Sequence, residues 1–185
     1  SITTVLSGRN KEGILKWRES VGNDVANQIM RQAASRGTAV HQLVEDYLNN
    51  IELSKQDVLP VALFTILKPE LDNINNIRIQ EGGLYSDRLG VAGRVDCIAE
   101  YNGKLSVIDF KTSKKKKEKW MCENMFIQCS AYAIMFEERT GIPVDQTVIL
   151  IAQEDEPPGI FVEKRDEYVP KLLTARDEYE QWTSK

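Results

Sequence analysis

GRVDCIAEYNGKLSVIDFKTS, residues 93–113, sets Asn102-Gly103 between two strand-like runs. Asn-Gly is a strong signal for a two-residue type I′ turn, because both central residues of that turn need positive φ. The turn fixes a register. With Tyr101 facing Lys104, the same pairing carried back along the strands sets Asp96 opposite Asp109 and Arg94 opposite Lys111. One face is then expected to hold Asp96, Asp109, Arg94 and Lys111, and the reverse face Val95, Cys97, Ile108 and Phe110. A slip of one residue would drive the charges into the core, so the apolar set supports this register. Like charges directly opposed are destabilising unless compensated, and a cation is the natural compensator. Asp109-Phe110-Lys111 is the only (Asp/Glu)-x-Lys in the chain. Alone, so short a motif fits a solvated strand face equally well. A third charge, Asp96, at a matched position turns it into a candidate site. Two carboxylates holding a hard divalent ion, beside a lysine that aligns water or steadies developing charge, suit phosphodiester hydrolysis.

Outward from the hairpin, apolar residues recur at helical spacing from Val25 to Leu48 after an Asn23 cap, predicting one or two helices over 24–49 with an interruption near Gly37. A second amphipathic stretch runs from about Leu59 to Ile74. From about Ile77 to Lys111 the pattern turns to β-branched residues, glycines and alternation. Residues 118–140, with Trp120, Met121, Met125, Phe126 and Ile127, read as a helix buried nearly all round and stopped by Gly141. TVILIAQ (147–153) reads as a buried strand, GIFVEK (159–164) as an edge strand and 166–183 as a closing helix. Trp17, spaced with Ile14 and Val21, is expected in the core. The fold class is α/β, a mixed central sheet flanked by helices, with 118–140 crossing over to a parallel strand. One domain spans 1–185: a mainly helical wall over 1–76, the catalytic sheet and crossover helix over 77–165, and the closing helix over 166–185.

A length of 185 residues with 42% hydrophobic content suffices for one compact core. No run approaches the roughly 20 apolar residues of a membrane span. No secretion or targeting signal is visible, so a cytoplasmic protein is expected, in the host cytoplasm for a phage-encoded one. Cys97, Cys122 and Cys129 cannot all pair, and their spacing fits neither a zinc site nor a four-cysteine iron–sulfur cluster. They read as buried thiols in a reducing compartment. No P-loop is present, so no ATP site is expected. A net charge of −4 argues against coating nucleic acid by bulk electrostatics, yet residues 111–119 carry six lysines and one glutamate.

GRVD at 93–96 and IDFK at 108–111 resemble the two catalytic strands of the PD-(D/E)xK nucleases. Arg36-Gly37-Thr38 followed by His41 is similar to the helical histidine motif of their RecB-like branch. Glu81 precedes the hairpin, and Gln128-x-x-x-Tyr132 is similar to a motif on that branch's DNA-contacting helix. SITTVLS, LKWRESVG and RGTAVHQLVEDYL resemble, in order and spacing, the mitochondrial genome maintenance exonucleases and phage-encoded relatives, over residues 1 to about 153.

This resemblance implies a restriction-endonuclease-like core and a metal, Mg²⁺ or Mn²⁺, held by His41, Asp96, Asp109 and the carbonyl of Phe110, with Lys111, Asp109 and Asp96 catalytic. Glu81 is a further metal candidate or simply a solvated strand-end glutamate. His41, the one histidine, reads from the residues alone equally as a surface partner of Glu45 at i+4. Gln128 and Tyr132 either touch DNA or bond to each other as core architecture. Lys114, Lys115, Lys116 and Lys117, just beyond the catalytic lysine, are expected to follow phosphates with Arg94. The implied substrate is DNA, single-stranded or with free ends, and replication or recombination proteins are the implied partners. A catalytically silent nucleic-acid-binding module and a structure-specific endonuclease within a recombination complex are the alternative readings.

Overall fold

The computed structural model describes residues 1–184. Short α1 (Ile2–Ser7) and α2 (Lys11–Val21) lead into long α3 (Asn23–Leu48) and α4 (Val58–Leu71). Three strands follow, β1 (Ile74–Ser86), β2 (Val91–Tyr101) and β3 (Lys104–Ser113), then α5 (Glu123–Thr140), β4 (Gln146–Gln153), β5 (Gly159–Lys164) and α6 (Val169–Thr183). The sheet has the order β1-β2-β3-β4-β5, antiparallel throughout except for β3 and β4. Those two are parallel because α5 carries the chain back across one face, as expected. No helix among the described residues is long and apolar enough to cross a membrane.

The Asn102-Gly103 turn forms as read, with φ of 49° and 79°. The register from Tyr101–Lys104 to Cys97–Ile108 is also as read, but the ladder stops there. Beyond it β2 pairs only with β1, and Asp109–Ser113 of β3 pair with β4. Asp96 therefore is not a ladder partner of Asp109, and Arg94 does not face Lys111. Arg94 pairs with Gly83 instead. Nor does Val95 share a face with Cys97, Ile108 and Phe110: it packs in the opposite core, with Ile98 and Val107. The counted register assumes a continuous ladder, whereas the two strands fork at Asp96 and the side-chain alternation breaks there.

Each face of the sheet carries its own core. On one, α1, α5 and α6 cover Ile98, Val107, Ile149 and Ile151. On the other, α3 and α4 cover Cys97, Ile108, Phe110, Val148 and Leu150. The alternation of β4, buried along almost its whole length, feeds both.

Three helix expectations need correction. α3 is continuous through Gly37, since one glycine costs a helix only about 1 kcal/mol; Asn23 lies inside it, and Gly22 at φ 86° is the cap residue. α2 has no buried residue, and Ile14 is 43% exposed, so Trp17 does not sit in a core. The helix expected from 118 starts at Glu123. A 3-10 turn, Lys119–Cys122, precedes it, leaving Trp120 and Met121 outside the core. Gly141 ends α5 in the left-handed conformation, as read.

Gly93, where β2 passes under α5, is a tight packing constraint near the fork. A Cβ there would lie 2.8 Å from both Cε1 and Oη of Tyr132 and 2.9 Å from Cγ2 of Ile2. Gly93→Ala is therefore expected to cost about 1–3 kcal/mol by overpacking. The urea midpoint measures this, and an unchanged midpoint would show that α5 yields freely.

Candidate active site

Where β2 and β3 part, backbone groups of β3 are left without a ladder partner, and side chains take them. Asp96 Oδ2 accepts from Phe110 N at 2.9 Å. The Phe110 carbonyl accepts from His41 Nε2 at 2.7 Å, across from α3. His41 is thus committed to the fork rather than to Glu45: its Nδ1 lies 3.5 Å from Glu81 Oε1 and its Nε2 3.8 Å from Asp96 Oδ2.

Glu81 reaches this cluster through an unusual backbone. Its φ is +50°, within a strand whose neighbours Gln80 and Gly82 pair normally with Cys97 and Val95. A non-glycine residue in that region costs of order 1–3 kcal/mol and persists only where its surroundings hold it. Arg94 Nε lies 2.9 Å from Glu81 Oε2 in an ion pair, and Arg94 is otherwise exposed. One ligand atom each from His41, Glu81 and Asp96 lie within 4.8 Å of one another.

Asp109 stands beside that trio but is turned to Lys111. Lys111 Nζ donates to Oδ1 at 3.0 Å. It also lies 2.8 Å from Oδ2, which is buried and in ionic contact but has no hydrogen bond of acceptable angle. Burial, and then the charge of Asp109, push the Asp96 carboxyl up to about 7, against the pull of His41 and Lys111. Burial opposes the charge on Lys111, yet Asp109 and Asp96 hold its ammonium above the ordinary value.

Glu81, Asp96 and Asp109 thus place three carboxylates beside one imidazole, with Asp109 Oδ2 short of a donor and Asp96 resisting ionisation. That donor set fits a hard or borderline divalent cation, which would relieve both defects. The fork opens onto a cleft of about 640 Å³ lined by Gly37, Thr38, His41, Glu81, Arg94 and Lys111, among others.

Two braces hold the walls. On α3, Arg36 Nη1 donates to Glu154 Oε1 at 3.1 Å, while the buried Nε has no partner. This joins α3 to the end of β4 one turn before His41. The sequence offers no signal for Glu154, 118 residues away. On α5, Gln128 Nε2 donates to Tyr132 Oη at 3.1 Å, and the ring of Tyr132, only 2% exposed, closes on Gly93. Tyr132 stands behind the fork and Gln128 is half-buried beside it. Lys114, Lys115 and Lys116 are exposed and Lys117 half-buried, on a loop fixed by Lys117 N donating to Gln153 Oε1 at 2.6 Å.

Known proteins resemble this chain in sequence and in fold. The sequence profile described as the PD-(D/E)XK nuclease superfamily matches residues 56–185. The chain belongs to that superfamily. Asp96, Asp109 and Lys111 lie inside the match, and His41 outside it. The chain is 26% identical over 180 residues to human mitochondrial genome maintenance exonuclease 1, covering 89% of this chain and 52% of that protein. The mouse protein is 27% identical over 179 residues, with the same coverage. The chain thus spans about half the length of the curated relatives it matches. A solved structure from Eubacterium rectale, described as a candidate exonuclease, superposes with a TM-score of 0.50 at 12% identity, covering 77% of this chain and 68% of that one. It supports the fold. PD-(D/E)XK nucleases use divalent metals, and the cluster at the fork is an acidic group able to bind one.

The Asp96 shift has a stability consequence. Its carboxyl rises from 3.8 to about 7 on folding, so the folded state favours the protonated form, and this group costs stability progressively as pH rises across that window. Asp96→Asn removes the cost. In EDTA at pH 8 the variant is expected to melt a few degrees above wild type, with the gap closing toward pH 4. A variant that melts lower at pH 8 would mean that the Asp96 charge is not buried at a net cost.

Proposed function

We propose that this chain is a metal-dependent deoxyribonuclease that hydrolyses phosphodiester bonds, acting as an exonuclease on single-stranded DNA or DNA ends. The observation that carries the reading is the gathering of His41, Glu81 and Asp96 within 4.8 Å, beside the Asp109–Lys111 pair, at the point where the β2–β3 ladder forks. His41, Asp96, Asp109 and the Phe110 carbonyl would hold Mg²⁺ or Mn²⁺, with Glu81 a further carboxylate. Imidazole and carboxylate together suit Mn²⁺ as well as Mg²⁺. When bound, the ion supplies Lewis acidity toward the phosphate and lowers the pKa of a water.

The chain's own groups do the rest. Lys111, its side chain one-third exposed at the cleft and its ammonium kept protonated by two carboxylate neighbours, donates from Nζ to a non-bridging phosphate oxygen. Its attraction grows as charge builds there in the transition state, and the buried setting makes that growth count. Asp96, fixed by Phe110 N, and Asp109, fixed by Lys111, keep their oxygens in place without reorganising. Arg94 is tied to Glu81 and largely exposed, so it meets a phosphate at the rim of the cleft. Gln128 touches the strand from α5, with Tyr132 setting its orientation. Lys114 to Lys117 follow phosphates away from the site and add affinity without sequence preference. The exonuclease reading is supported by the names of the relatives, of which this chain matches about half.

Lys111→Ala should fold, bind single-stranded DNA within a few-fold of wild type, and cleave at least about 100-fold more slowly in Mg²⁺ or Mn²⁺. Cleavage and affinity measured on one preparation decide the matter: turnover close to wild type would remove Lys111 from the mechanism. Circular and linear oligonucleotides, single- and double-stranded, run in the same assay test the need for an end.

Replacing Lys114, Lys115, Lys116 and Lys117 by alanine should weaken single-strand binding and flatten its salt dependence by about 0.7 in log–log slope for each phosphate no longer neutralised. Turnover at saturating substrate should hold. Identical affinity at every salt concentration would make this loop merely solvated.

A further inference from the structure

Trp120 is the most exposed tryptophan of the chain, at 75%, and Met121 beside it is 40% exposed. Aromatic surface of that size is normally buried, and here it sits on a hydrogen-bonded turn. The 3-10 turn Lys119–Cys122 is pinned by Met121 N donating to Glu118 O at 2.9 Å and by the Cys122 thiol donating to the same carbonyl at 3.6 Å. Cys122 itself is fully buried against α5, and Lys119 is paired with Glu163 of β5. The indole is thus held out from a rigid support. Immediately before it run Lys114 to Lys117. Of these, Lys116 is 3.8 Å from Glu118, while Lys114, Lys115 and Lys117 form no ion pair among the described residues. The loop leading to the turn starts where β3 ends at Ser113, two residues beyond Lys111, and is anchored by Lys117 N donating to Gln153 Oε1 at the end of β4.

We propose that Trp120 is a base-stacking platform for single-stranded nucleic acid, gripping an unpaired base one or more nucleotides from the scissile phosphate while the preceding lysines hold the backbone. The inference rests on the nuclease reading and deepens it, naming an unpaired strand as the ligand of this surface. Charge complementarity selects the ligand: a cationic loop with one flat, presented ring matches a polyanion whose bases are free to stack. A duplex keeps its bases inside and offers the ring nothing. Stacking of this kind is indifferent to sequence, because every base has a π-face, and it is separable from the ionic term by salt.

The test is fluorescence anisotropy of a labelled oligothymidylate in EDTA, with wild type, Trp120→Ala and Trp120→Phe, beside an abasic strand of equal length. Trp120→Ala should raise Kd at least about fivefold on oligothymidylate, the low end of base–aromatic stacking. Its salt slope should match wild type. Trp120→Phe should stay within about twofold. On the abasic strand wild type and Trp120→Ala should bind alike. Equal binding by wild type and Trp120→Ala on oligothymidylate overturns the proposal, as does an equal loss on the abasic strand, which would mean that the indole supports the loop or a protein contact. Cleavage in Mn²⁺ by the same wild-type preparation separates the two readings. A protein whose binding depends on Trp120 but which does not cut keeps the platform and loses the nuclease assignment; one that cuts without that dependence does the reverse; one that neither binds nor cuts loses both.

Discussion

Carboxylates cannot be crowded into a half-buried space unless something positive stands between them, and this chain crowds three of them at the place where its central hairpin opens. Asp109 is neutralised by Lys111, Glu81 by Arg94, and Asp96 is left to share the imidazole edge of His41 and one backbone amide. The imbalance shows in Asp96, whose carboxyl resists ionisation. Everything around the fork can be understood as keeping that unfavourable arrangement from relaxing. The two cores clamp β3 from both faces, α3 is drawn down by the Phe110 carbonyl, and α5 is seated on Gly93.

At the fork β3 parts from β2 while keeping its parallel pairing with β4, and β2 continues along β1. In parting, the strands expose a donor and an acceptor on Phe110, and two side chains from different elements answer them. A site built in this manner inherits its precision from strand ends rather than from loops.

Much of this is legible in the chain. Asn102-Gly103 specifies the turn and register because turn chemistry is local, and the apolar run of β4 marks a strand buried on both faces. Asp96, Asp109 and Lys111 can be grouped by counting along the two strands, although the ladder itself ends one pair short of Asp96 and Asp109. The count fails at Arg94 and Val95, since it presumes a ladder that does not open. Glu81 is where local reasoning has least purchase: its left-handed backbone breaks the propensity of its residue type and exists only because its partners are in place. The brace from Arg36 to Glu154 is equally invisible, being a contact between distant segments. Periodicity misleads at α2 and at Trp120, because a helical apolar repeat marks a stripe without saying whether anything covers it.

α3 has a mechanical character that extends beyond the site. It is an unbroken helix of 26 residues, roughly 39 Å long, yet of residues 23 to 39 only Ala26 is buried. Its apolar anchorage is concentrated at one end, in Val40, Leu43 and Val44 beside the imidazole; over the rest of its span it is held by Ala26 and by the ion pair of Arg36 with Glu154. Thermal flexing should be graded along the rod, with amide exchange fast toward Asn23 and slow past Val40.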